Sequence, residues 1–401
     1  MTLKKFDYLN VIILIYLTWA NINPIKPILL TISIISIYMI LGLIALKKIT
    51  VTKEIVNRKL IICFNLLILF SNFYSSNKQL TLINSTIFTG ITLYSFLLCA
   101  LYDEEGFLRM LNKYFIISII ASLFLILFIP NKGTMLDERL FVAAIGIYGH
   151  KNILGRYMVI GFFILIYQAS RYKNKLYKRI NYIFATQAIY LIICSKSSTS
   201  LIYLIVLSIL YYIIKNKNQL INSVVNITFM GGIIFSIFTL LSAQPKLYKI
   251  FSNISIGEKN LGLTGRNIIW TFSIEKIKSN PILGYGFDAV WNNENITMQF
   301  YNKYKFFIPH AHNGYLDITL QLGLIGLLFM IIILYKILKY RKNDSNILAT
   351  ILGIFLIFIN FTEAAFIEDT TYIFWILIIY FYKQFYKKDL EFEKLNDLRR
   401  V

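Results

Sequence analysis

The segment Pro309-His310-Ala311-His312-Asn313-Gly314-Tyr315-Leu316-Asp317 holds two of the three histidines in a chain of 401 residues, directly ahead of an apolar run from Ile318 to Ile337. Imidazole is the side-chain group whose ordinary pKa lets it act as base and acid near neutral pH. The third histidine lies in Gly146-Ile147-Tyr148-Gly149-His150-Lys151-Asn152-Ile153-Leu154-Gly155-Arg156, with Arg139 upstream. Two more polar stretches follow: Gly265-Arg266-Asn267-Ile268-Ile269-Trp270, and the turn-rich Asn280-Pro281-Ile282-Leu283-Gly284-Tyr285-Gly286-Phe287. Glycine in the latter permits positive φ or close backbone approach. Glu363, between Thr362 and Ala364, is a fifth candidate. Arginine is permanently charged, so these stretches combine fixed positive charge with proton chemistry.

Taken singly, each has a plainer role. An arginine or lysine at a span end snorkels to headgroups. Asn313 and Asp317 suit the cap of the following helix. Gly323 and Gly326, three apart, suit close helix packing. Trp270, Trp291 and Tyr285 suit interfacial anchoring.

The elements that position these residues are membrane helices. The chain is 57% hydrophobic and only 15% charged, where soluble domains carry about 25% charged residues. Its apolar runs of roughly 18–22 residues cross a hydrocarbon core as helices, not as alternating barrel strands. A net charge of +21 reads here as positive loops that orient the protein, not as a nucleic-acid surface. Cys63, Cys99 and Cys194 fall inside apolar runs without metal-ligand spacing. No cleavable signal peptide is evident, and the run from Phe6 reads as a first span.

The expected fold class is all-α, a polytopic membrane protein with about twelve helices. Spans are expected near 6–23, 26–46, 59–74, 80–102, 112–130, 151–170, 181–195, 198–214, 221–243, 313–338, 346–362 and 369–386. Basic clusters at Lys47 to Lys59, Arg171 to Arg179, Lys215 with Lys217, and Lys336 to Lys342 then fall on one side. The positive-inside rule makes that side cytoplasmic, with both termini there. Residues 103–113, with Asp103, Glu104 and Glu105, read as a connection on that side. The organisation becomes nine helices in 1–243, a large extracytoplasmic loop at 244–312, three helices in 313–386 and a cytoplasmic tail at 387–401. Inside the loop, Arg266 opens an amphipathic helix that Pro281 ends.

Gly-Arg-x-x-x-Trp, Asn-Pro-x-x-Gly-x-Gly and His-Asn-x-x-Leu-x-x-x-x-x-x-Gly-x-x-Gly, in that order and spacing, resemble the bacterial O-antigen ligase and polysaccharide polymerase superfamily. His-Lys-Asn-x-x-Gly at 150–155, preceded by an arginine, is similar to its exopolysaccharide polymerase branch. The resemblance runs from about Arg139 to Glu363. One departure is Ser195-Lys196-Ser197-Ser198, where many relatives carry Ser-Arg.

The resemblance implies glycan transfer from an undecaprenyl-diphosphate carrier to an acceptor hydroxyl, on the outer face of the bacterial cytoplasmic (inner) membrane. It implies Arg266 and Arg139 on the diphosphate, with Lys151 and Arg156 as helpers. His312 would position or deprotonate the acceptor hydroxyl, and Glu363 would orient that imidazole or share its role. Asn152, Trp270, Tyr285, His310 and Asn313 complete the expected substrate contacts. The diphosphate supplies the driving force, so no cofactor is expected. No His/Cys/Asp cluster has metal spacing, so no metal is expected, and no Walker-type loop is present. A flippase and a chain-length regulator are candidate partners, beside the donor, the acceptor and the bilayer. The reading favoured is a polymerase of lipid-linked repeat units. Its rivals are a ligase that moves glycan to lipid A core or protein, and a lipid-linked sugar transporter. A transporter should carry charge at the bilayer midplane and show repeat symmetry, whereas here the polar residues gather at span ends.

Overall fold

Unbroken apolar runs satisfy their backbone hydrogen bonds internally only as helices, and helices dominate this molecule. The computed structural model describes residues 3–19, 58–137, 140–216, 255–256, 259–260, 266–308, 310–339, 347–366 and 372–382. In chain order the principal helices are α1 Leu3–Thr18, α2 Lys59–Phe70, α3 Lys78–Leu101, α4 Glu104–Phe128, α5 Lys151–Arg171 and α6 Lys175–Cys194. Then follow α7 Ser198–Asn216, α8 Arg266–Ser279, α9 Glu294–Tyr304, α10 Gly314–Lys339 and α11 Ile347–Ile359. An apolar helix α12, Tyr372–Tyr382, comes last. Among the described residues, α3, α4, α5, α7 and Gly314–Ile337 of α10 are long and apolar enough to cross a membrane. The expected spans at 26–46 and 221–243, most of 244–265, and the tail at 387–401 lie outside the described residues.

Residues 103–113, expected as a connection, are helical. Asp103 caps α4 by accepting the Gly106 N–H at 2.8 Å, and Glu104 and Glu105 lie at the positive end of the helix dipole. Acidic residues mark a helix start here, not a loop. Residues 131–150 form a short antiparallel hairpin, Thr134–Leu136 with Val142–Ala144, and a 3-10 turn at Gly146–Tyr148 that leads into α5. The expected amphipathic helix after residue 265 is α8.

Gly323 does not serve helix packing. It interrupts α10 with φ 66° and ψ −168°, a conformation only glycine adopts readily. Leu320 and Gln321 carbonyls ahead of the break accept from Tyr285 and Gly286 N–H at 2.9 Å, while Leu324 N–H donates to Pro281 at 2.8 Å. The Asn280–Phe287 turn thus fills the break and satisfies the backbone groups it frees. A Cβ at Gly323 would lie 1.9 Å from the Ile282 carbonyl oxygen.

The turn at Ser195–Ser198 joins α6 to α7 and packs on the start of α5. A Cβ at Gly155 would lie 2.4 Å from Ser200 Oγ, so glycine there lets α7 approach the first turns of α5. The core beneath is aromatic: Trp375 of α12 packs on Phe64 and Phe88, and Phe107 stacks on Tyr380 at 3.6 Å.

Candidate functional site

Glu363 follows α11 in a tight turn whose backbone is bonded on both sides. Its N–H donates to the Ile359 carbonyl at 2.9 Å, and its own carbonyl accepts from Gly314 N–H at 3.1 Å. Asn360 and Tyr203 buttress the turn: Asn360 Oδ1 accepts the Ala365 N–H, and the Tyr203 hydroxyl donates to the Phe358 carbonyl. The carboxylate is 2% exposed, and a buried charge must be paired.

Three chain segments supply its partners. Asn152, in the first turn of α5, donates Nδ2–H to Glu363 Oε1 at 3.0 Å. Arg266, the first residue of α8, donates NH2–H to the same oxygen at 3.2 Å. His312, just before α10, sets Nδ1 at 3.5 Å from Oε2, an ion-pair distance longer than a good hydrogen bond. Side chains from the first turn of α5, the first residue of α8 and the segment ahead of α10 thus converge on one carboxylate.

Burial alone raises a carboxyl pKa. Here the neighbouring His312, Arg156 and Arg266 outweigh it and hold Glu363 well below the usual carboxylate range. Glu363 is therefore an anion at all physiological pH. His312 moves the other way for an imidazole: burial lowers its pKa, Glu363 raises it, and His310 and Arg266 lower it again. The net shift is downward, so His312 is neutral at neutral pH. A neutral ring facing a carboxylate carries its proton on the facing nitrogen, which assigns the hydrogen to Nδ1 and leaves Nε2 as a base. His150 is also shifted downward, chiefly by burial, with Arg156 and Lys151 adding to it and Glu363 opposing.

The histidine segment is clamped from below. Ala311 N–H donates to both Asp317 oxygens at 3.1 Å, and the Ala311 carbonyl accepts Trp270 Nε1–H at 3.0 Å. Trp291 Nε1–H donates to Asp317 Oδ1 at 2.7 Å. His310 Nδ1 accepts the His312 N–H at 3.1 Å, and the two rings meet edge to face at 4.1 Å. The clamp holds His312 at φ 50°, a strained value for a non-glycine residue.

The expected site residues divide accordingly. Arg266, His312, Glu363 and Asn152 form one contiguous set, and Arg156, 2% exposed and one turn along α5, acts on Glu363 through its charge. Lys151 instead pairs with Asp137 at 3.3 Å. Trp270 and Trp291 are not interfacial anchors, because both are buried with their N–H groups committed to the histidine segment. Trp270, an expected substrate contact, is 1% exposed and supports the Ala311 carbonyl through its N–H. Tyr285 donates its hydroxyl to the Lys276 carbonyl and lies in the turn that fills the α10 break. Asn313 caps α10 through Tyr315 and Leu316 N–H, so its side-chain oxygen serves the fold. Arg139 lies outside the described residues.

Sequence spacing missed three things. Asp317 reads as a cap, but its acceptor role is turned back to Ala311. His150 caps α5 by accepting Asn152 N–H at 3.2 Å. His310, His312 and Glu363 also bring ligand atoms within 4.8 Å of one another, a grouping that no local motif shows. Arg266 on the same carboxylate opposes a second cation there.

Comparison with known proteins adds partial likenesses. Residues 183–331 match the family described as O-antigen ligase. A Rickettsia typhi protein described as a candidate polysaccharide ligase is 26% identical over 242 residues, 58% of this chain and 56% of the relative. The exopolysaccharide production protein ExoQ of Rhizobium meliloti is 30% identical over 108 residues, 25% of this chain and 24% of the relative. The ComP-specific O-oligosaccharyltransferase of Acinetobacter baylyi is 25% identical over 203 residues, 49% of this chain and 36% of the relative. The chain spans from about a fifth to just over half the length of the curated relatives it matches.

Proposed function

We propose that the chain is a member of the O-antigen ligase and polysaccharide polymerase superfamily, which its likeness to that family over residues 183–331 and to the relatives above supports, and that the cluster around Glu363 transfers glycan from a polyprenyl-diphosphate carrier to a sugar hydroxyl. The observation that supports this most is a single buried carboxylate shared by Arg266, Asn152 and His312. It unites a base with its orienting anion and a guanidinium that has donors to spare.

In the step proposed, the acceptor hydroxyl oxygen attacks the anomeric carbon while its proton passes to His312 Nε2. The bond from that carbon to the phosphate oxygen breaks, and the electron pair leaves with the polyprenyl diphosphate. Arg266 and Arg156 meet the leaving charge, with Lys151 and Arg139 as outer helpers. Glu363 holds His312 in its tautomer and supports the imidazolium that forms, as the carboxylate does in hydrolase triads. Asn152 and Arg266 fix Glu363 in turn. Asn313, His310 and Trp270 keep the histidine segment in place, and Tyr285 is kept as a candidate glycan contact. General-base assistance of this type contributes roughly 10²–10⁴-fold in rate, and fixed cations in a poorly screened site add leaving-group stabilisation.

The proposed setting is a bundle of about twelve spans in the bacterial cytoplasmic membrane, with both termini inside and 244–312 outside. The favoured product is a polymer of lipid-linked repeat units, which the likeness to an exopolysaccharide production protein supports. A ligase is the second reading, supported by relatives described as ligase and oligosaccharyltransferase. Purified protein in nanodiscs, given a synthetic lipid-linked repeat unit, tests the chemistry. His312→Ala should abolish turnover while donor binding persists, and Arg266→Lys, which loses the planar fork, should cut turnover sharply. Normal product from His312→Ala ends the acid-base assignment. Donor alone yields polymer from a polymerase, whereas a ligase waits for a lipid A core or protein acceptor.

A further inference from the structure

We propose that Phe307 and Tyr301 form a sugar-stacking platform that holds a pyranose ring of the acceptor glycan beside the histidine segment. The proposal rests on the glycan-transfer reading above and gives it a subsite. The two rings stack at 4.5 Å and 15°, yet Phe307 remains 64% exposed. One face of its ring is therefore open.

The placement is built, not frayed. Phe306 points the opposite way and packs edge-on against buried Phe300 at 5.1 Å. Phe300 in turn meets Phe272 of α8 at 5.1 Å. Lys305, the α9 C-cap, adopts φ 66° and so turns the chain back toward Tyr301. Its ammonium lies 5.9 Å from the Tyr301 ring, within cation–π range.

The surroundings decide the occupant. The outward residues of α9 include exposed Glu294, Asn295, Gln299, Asn302 and Lys303. Such a face sits in water, because each charge would cost kilocalories in hydrocarbon. Phe307 lies three residues past the end of this polar helix and leaves a bare, stacked ring beside it. Sugars combine an apolar C–H face, which stacks on an aromatic ring, with hydroxyls that bond to amides and ammonium groups. Lys305 supplies such a group beside the stack.

Distance links the platform to the chemistry. Phe307 is three residues ahead of His310, so the Cα atoms are at most about 11 Å apart. A short oligosaccharide lying on Phe307 is long enough to span that interval to the histidine segment.

The test is Phe307→Trp full-length protein in phosphatidylethanolamine–phosphatidylglycerol nanodiscs, titrated with the free, lipid-less repeat-unit oligosaccharide. Its fluorescence, taken as the difference from the parent protein, should respond saturably. Tyr301→Ala in that background should weaken binding by about tenfold, the scale of one lost ring stack. Asn295→Ala, on another face of α9, should not change the titration. Melting temperatures separate loss of binding from loss of folding. A flat titration overturns the proposal, as does quenching of the new tryptophan by brominated lipid, which places the ring in the bilayer interface. The readout needs no turnover. A dead Glu363 or His312 reading with intact glycan binding would leave the platform standing, and the reverse result would remove the platform alone.

Discussion

Replacing Glu363 with glutamine is the sharpest perturbation of this site, since shape is kept and one charge is lost. In the folded protein that charge is 2% exposed and is met by Arg266 at 3.2 Å, with Arg156 buried nearby. Breaking a buried ion pair costs roughly 3–5 kcal/mol. Glutamine still accepts from Asn152 and Arg266 through its amide oxygen, so about 3 kcal/mol, the lower end of that range, applies. Turnover should fall further, by about 10²–10⁴, because the imidazolium formed on His312 loses its anion. The pH profile carries the decisive sign. Glu363 raises the His312 pKa against the downward pull of burial. Removing it must move the acidic limb of the rate to lower pH, even as the plateau drops. The assay is polymer formed from a lipid-linked repeat unit, measured between pH 5 and 8, the range in which histidine titrates, alongside a thermal melt. A limb that moves to higher pH, or an unchanged melt and plateau, refutes the linkage between the two groups.

Stability should also depend on pH in a defined direction. His150 and His312 both have folded pKa values below 6.5, so the unfolded chain binds more protons and stability falls as pH drops below 6.5; melts of His312→Asn should show a shallower fall. Asp317→Asn, which keeps the shape but weakens the hold on Ala311 N–H, should cost about 1.5–3 kcal/mol and lower kcat more than it raises KM. Combined with His312→Ala, it should add nothing to the loss of turnover. Gly323→Ala forces a Cβ against the Ile282 carbonyl, at a backbone cost of about 1–3 kcal/mol before the clash is counted, and should appear as a lowered melt and faster proteolysis of the 281–287 turn. Reporter fusions near residue 255 and at the C-terminus should report opposite sides of the membrane, and a cytoplasmic signal from position 255 contradicts the external site.

The parts legible in the sequence were those governed by local periodicity and by residue type. Apolar runs gave α5, α7 and α10 to within a few residues, because helix length and hydropathy are properties of a short window, whereas α6 starts six residues ahead of its apolar run, at Lys175. The start of α4 was misread for the opposite reason. Acidic residues weigh against a span, yet Asp103, Glu104 and Glu105 are what a helix N-terminus prefers. The break at Gly323 was hidden because its cause is not local: the turn at 281–286 supplies the backbone partners from forty residues upstream. Glycine at that spacing is also common at packed helices, so type alone did not separate the two.

The site shows the same division between chemistry and geometry. Residue type made His312, Arg266 and Glu363 candidates, and the family resemblance gave them their expected roles. No sequence rule joins Asn152 to Glu363 across 211 positions, and that bond, with the one from Arg266, fixes the carboxylate in place. Nor could spacing show that Asp317 faces backward. A carboxylate five residues after His312 reads as a helix cap, but its oxygens close on Ala311 and on Trp291. The physical consequence is a division of labour between two acidic groups. Asp317 fixes where the histidine is, through the backbone. Glu363 fixes what the histidine can do, through its charge. Loss of either should damage turnover, but only loss of Glu363 should displace the acidic limb, because Asp317 acts on the peptide ahead of the ring while Glu363 faces its nitrogen.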